Sequence, residues 1–233
     1  MNIAKFVITT VLVAAIVCTL IVVAMTVVQS VTDVLTNDSA QALTRRARFG
    51  SLARIRGFHT YAVEEETSAG YASVETLARF FGLEELPEPE RGREHWTNRE
   101  FQDELRRVFP DYYVTRRSNL SNTELVDVIF TSLEAGNPVI IFHAAESRNQ
   151  DGDGGALEKR YSVVIGVDLP NDRITLGSPQ GTFARYTLDE FIRSSRFDNY
   201  ATSFFQRLLF AFRIYSKNTV FIVDRGEQAV ADY

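Results

Sequence analysis

The chain has 233 residues, 45% of them hydrophobic and 24% charged, with a formal net charge of −5. These are the proportions of a globular domain. The interspersed acidic and basic residues exclude the basic face that a nucleic-acid partner requires. The single cysteine, Cys18, excludes a disulfide scaffold.

In chain order, residues 6–28 carry no charge and almost no polar side chain. At 1.5 Å rise per residue, roughly 20 residues cross a bilayer's hydrocarbon core, so this run predicts one transmembrane helix and a lipid partner. A secretory signal has a shorter apolar region. Ser39-Ala-Gln-Ala42 has the small residues of a cleavage site but lies too far past the run, so an uncleaved anchor over residues 1–30 is expected. Lys5 and the amino terminus flank one side, and Asp33 and Asp38 follow on the other. Arg45, Arg46 and Arg48, by count, favour a cytoplasmic domain, whereas the nearest charges favour the opposite. The expectation is a single-pass protein with its soluble domain extracytoplasmic.

Residues 31–57 read as a connector and residues 58–233 as the domain, with an α+β composition of elements. His59-Thr-Tyr-Ala-Val63 reads as a short strand. A helix follows over residues 70–81, capped by Thr67 or Ser68, with Val74, Leu77, Ala78 and Phe81 at core spacing. Pro87 and Pro89 mark a loop. A second helix spans Asn98 to Phe109 on a stripe of Phe101, Leu105 and Phe109. A third, from Glu124 to Glu134, ends at Gly136.

Val139 to Phe142 is an apolar strand, followed by a Gly-rich loop from Ser147 to Gly155. Tyr161 to Val167 and Arg173 to Leu176 form a hairpin across the turn at Asp168-Leu-Pro-Asn-Asp172. Phe183 to Tyr186 is a short strand. Leu188 to Ser194 is a helix boxed by Thr187 and Glu190, and Thr219 to Val223 is the last strand.

Ala69-Gly-Tyr-Ala-Ser73, closing on Gly82, resembles the nucleophile helix of papain-like, C39-like peptidases, whose pattern reads Cys-Gly-Pro-Ala-Ser. The later order of helix, Ala135-Gly-Asn-Pro138, apolar strand and hairpin is similar to that group over residues 59–224. The resemblance implies a papain-like fold, with a helical lobe and an antiparallel sheet behind the transmembrane helix.

Such an enzyme needs a thiolate at a helix start, a histidine to take its proton and a group to orient that histidine. The resemblance assigns these roles to Ala69, to Arg160 (Tyr161 on a one-residue slip) and to Ser178, with the oxyanion glutamine near Val63 or Glu64. None of these residues supplies the chemistry. The expectation is a catalytically inactive pseudo-peptidase that binds a peptide or protein, or serves as a membrane-complex subunit, using Ser68, Ala69, Tyr71, Arg160, Tyr161 and Ser178 around the former cleft. No cofactor and no metal are expected.

The alternative is a divergent hydrolase with Ser68 as a hydroxyl nucleophile. It would need a base from His59, His95 or His143, and the sequence reads all three as structural or loop residues. Asp151-Gly-Asp-Gly-Gly155 resembles the opening of a calcium loop but lacks the later ligands. Phe204 to Ile214 is aromatic and Arg-bearing, and reads as sheet core or as a second membrane contact.

Overall fold

The computed structural model describes residues 8, 10–21, 23–24, 52–60, 69–83, 86, 96–146, 157–177, 181–197 and 216–226. Seven strands form one sheet: β1 (Leu52–Arg54), β2 (Tyr113–Arg117), β3 (Val139–Glu146), β4 (Leu157–Asp168), β5 (Arg173–Gly177), β6 (Phe183–Tyr186) and β7 (Thr219–Asp224). Four helices accompany it: α1 (Ala69–Phe80), α2 (Asn98–Val108), α3 (Asn122–Glu134) and α4 (Leu188–Ser195). Residues 8, 10–21, 23 and 24 are also helical. Among the described residues no helix is long and apolar enough to cross a membrane.

The sheet runs β2-β7-β3-β4-β5-β6, and β1 pairs with β4. Every pairing is antiparallel. The architecture is therefore α+β on an antiparallel sheet. β4 is its spine: residues 157–164 pair with β3, residues 166–168 pair with β1, and β5 takes the opposite edge. A bulge between Val164 and Gly166 shifts the register of β4 against β5.

The sheet thus begins at Leu52, inside the stretch that the sequence assigned to the connector, ahead of residue 58. β2 is a strand that the sequence did not reveal. β3 continues four residues beyond Phe142, to Glu146. The expected strand at 59–63 is coil as far as Thr60. Its remainder lies outside the described residues, as do the calcium-like loop, the helix cap at 67–68 and the segment 204–214.

The helices form where local signals coincide. Thr97, Ser121 and Thr187 each accept a bond from the third helical amide, while Glu100, Glu124 and Glu190 reach back to the capping residue. Both α1 and α3 end with a glycine in the left-handed region, Gly82 at φ 77 and Gly136 at φ 82. The amides of Leu83 and Asn137 then close onto Ala78 and Ser132, the bonding that positive φ allows.

Alternation along the strands builds two faces. Ile140, Phe142, Tyr161, Val163 and Phe221 share one, since cross-strand partners point the same way. α1 lies against β4, α2 against β2, and α3 against β1, β3 and β4. Phe101 and Leu105 of α2 and Leu125 and Ile129 of α3 are fully buried. The opposite face carries Ile141, His143, Arg160 and Ser162, and there α4 packs on β3, β5 and β6. Asn218 pins the two layers: its amide group accepts from Ser195 and donates to the Leu120 carbonyl ahead of α3.

Candidate functional site

Helix α1 starts against β4. Its second residue is Gly70, where a Cβ would stand 3.0 Å from Trp96 Cδ1 and 3.4 Å from Tyr161 Cδ2. The missing side chain is what lets the helix start approach these two rings. One turn on, Ser73 is buried and its hydroxyl donates to the Tyr161 carbonyl at 2.8 Å. This bond fixes the height of α1 along β4.

Tyr161 is enclosed by aromatic rings. Phe101 stacks on it with centroids 3.9 Å apart, and Phe142 and Phe221 lie at 4.9 and 5.9 Å. Its hydroxyl is directed at Asn98 Oδ1, 3.2 Å away, and at the Trp96 carbonyl, 3.4 Å away. Burial, and then the nearby Glu100 carboxylate, push the phenol above its ordinary range. Tyr161 therefore stays protonated at neutral pH and acts as a hydrogen-bond donor.

Arg160, one residue earlier, lies on the other face, opposite His143. Of the two positions that the resemblance offers for a histidine, it is Tyr161 that meets the start of α1. Strand alternation separates them: neighbouring residues of β4 cannot both face the helix. Tyr71 is half-buried on α1. Burial, then Glu75 and Glu104, raise its phenol pKa, while Arg107 and Arg79 oppose them. Ala69 opens the helix. Ser68 and Ser178 lie outside the described residues. Those that the structure brings to Tyr161 are Gly70 and Ser73 of α1, with Trp96 and Asn98.

Trp96 and Asn98 were not foreseen. Their contact with Tyr161 spans more than sixty positions, and only the folded chain brings them together.

A second polar cluster occupies the opposite face. His143 is 1% exposed. Its Nδ1 lies 2.8 Å from Ser194 Oγ, and its Nε2 lies 2.9 Å from Ser162 Oγ. The Ser194 hydroxyl gives its proton to the Ala144 carbonyl, so it accepts from an Nδ1–H. The ring is then the Nδ1–H tautomer, and Nε2 accepts from Ser162. The sequence placed His143 at the edge of the core. The structure seats it within β3, with both nitrogens bonded.

Among the described residues no group of three or more His, Cys, Asp or Glu could hold a metal ion. Within the same residues, every buried side-chain nitrogen or oxygen has a hydrogen-bond partner. No protein-family model and no curated protein matches the sequence.

Proposed function

We propose that the chain is a single-pass, membrane-anchored pseudo-peptidase of papain-like fold. Its domain acts by binding a peptide or protein in the former cleft, as a receptor or as a subunit of a membrane complex. The observation that carries this reading is the meeting of the α1 start with Tyr161. A helix whose first residue is Ala69 abuts the strand position where such an enzyme keeps its base. The side chain there is a phenol that burial holds protonated. The neighbouring Arg160 lies on the reverse face, opposite His143.

The anchor rests on residues 6–28. The apolar side chains of Ile8, Val11, Leu12, Val13, Ile16, Val17, Leu20, Ile21 and Val23 are all exposed. They surround the helical residues rather than form a stripe, and an all-round apolar helix is stable in lipid or in a protein core. With Lys5 inside and Asp33 and Asp38 outside, the domain is extracytoplasmic.

The test is affinity purification of the intact, detergent-solubilised chain beside its Tyr71→Ala variant, with identification of co-purifying peptides and proteins. Tyr71 is half-buried on α1, beside Gly70, and far-UV circular dichroism checks that the variant is folded. The expected result is a defined partner whose recovery falls at least about tenfold in the variant, which is about 1.4 kcal/mol. Equal recovery from both chains overturns the cleft assignment.

A further inference from the structure

We propose that the Ser162–His143–Ser194 cluster is an acid-sensitive latch that holds α4 on the sheet at neutral pH and releases it on acidification. The imidazole stands on β3 and reaches β4 through Ser162 and α4 through Ser194, so one ring joins three elements. The link to α4 lies at its last turn, where Ser194 also bonds the Ala144 carbonyl of β3.

The cluster is complete only while the ring is neutral. Nε2 accepts the Ser162 proton. Once protonated, Nε2 becomes a donor, and the Ser162 hydroxyl, 5% exposed, must turn its own proton away. The new charge would also be buried. The groups that face the ring determine whether anything compensates it. From β4 comes Arg160, the cross-strand partner, a cation that disfavours a second positive charge. From β6 comes Tyr186, whose ring meets the imidazole edge-on at 6.4 Å. From α4 comes the Ser194 hydroxyl, while the helix's ion pair of Asp189 with Arg193 is exposed. Burial first, and Arg160 second, lower the His143 pKa to about 4, with the Ala144 backbone opposing them.

Opening the latch hydrates the ring and frees it to protonate near its ordinary 6.5. The open form then gains by about tenfold at about pH 5.5 and by about thirtyfold at about pH 5, and is almost unaffected at about pH 7.5. α4 loosens before α1 does, because Ser73, Gly70 and Tyr161 lie on the other face.

The experiment is amide hydrogen exchange, read by mass spectrometry on the intact, detergent-solubilised chain. It compares about pH 7.5 with about pH 5.5, correcting for the pH dependence of intrinsic exchange. Residues 188–197 should lose protection by about tenfold, and residues 69–80 by less than twofold. His143→Gln keeps a polar side chain of similar reach but does not titrate, and should hold the loss at 188–197 below about twofold. Unchanged protection of α4 in the parent chain overturns the latch, as does an equal loss in both helices or in both chains. If His143→Gln does not fold, the ring's own titration by NMR decides. A midpoint below about 5.5 supports the latch, and one at or above that overturns it.

Discussion

Replacing Gly70 with alanine sets two opposing effects against each other. Alanine favours the helical state over glycine by about 0.5–1 kcal/mol, and by less near a helix start. Against that, the added methyl would stand 3.0 Å from Trp96 Cδ1, 3.2 Å from Trp96 Nε1 and 3.4 Å from Tyr161 Cδ2. Tyr161 has little freedom to yield, since Phe101 stacks on it and its hydroxyl is directed at Asn98. Trp96 must move instead, away from its edge contact with Phe101.

Overpacking of this kind costs about 1–3 kcal/mol, so the steric cost wins and the net loss is about 1 kcal/mol. For a domain of this size that lowers the melting temperature by about 2–4 °C, measured by far-UV circular dichroism on the intact chain in detergent. A Trp96→Ala background removes the two closest contacts. There, Gly70→Ala should be neutral or stabilising, with a coupling of about 1 kcal/mol between the two sites. If alanine at position 70 is as stable as glycine in the parent background, α1 does not seat its start against these rings, and the site described here is misplaced.

Three further outcomes are expected. Phe101→Ala, at a fully buried ring stacked on Tyr161, should destabilise the domain by about 3–5 kcal/mol in urea unfolding. Because the folded pKa of His143 is depressed from 6.5 to about 4, its contribution to stability is complete above about pH 6.5. It is lost as pH falls through about 4, amounting to about 2 kcal/mol lost by about pH 5 and about 3 kcal/mol at the limit; melting curves across that range measure it. Deleting residues 1–30 should move the chain from the membrane pellet to the soluble fraction, and if the truncated chain still sediments with lipid vesicles, the segment 204–214 is a second membrane contact.

What the sequence revealed of this fold depended on how local the signals were. The box at Thr187 and Glu190, the stop at Gly136 and the Phe101–Leu105–Phe109 stripe are written within a few residues, and the structure has them all. β2 was invisible because it is an edge strand whose Thr115, Arg116 and Arg117 are exposed, leaving no apolar alternation to read. β1 is three residues long with an arginine in it, which reads as connector. β3 looked finished at Phe142 because His143 is polar. It is buried nonetheless, since Ser162 and Ser194 satisfy it from 19 and 51 positions away.

The candidate site was legible only in part. The resemblance singled out the α1 start and residues 160–161, and of these two neighbours Tyr161 is the one that lies against the α1 start. Trp96 and Asn98 carried no sign of their role, because what places them is the long-range packing of α2 beneath Tyr161.

The measurement that bears most directly on the central proposal is incubation of the purified intact chain with a broad peptide library, followed by mass spectrometry of both the retained and the released peptides. A domain that binds without cutting should retain a subset of sequences intact and release no new termini. New termini that disappear on Ser68→Ala would contradict the account and make the protein a hydrolase with a hydroxyl nucleophile.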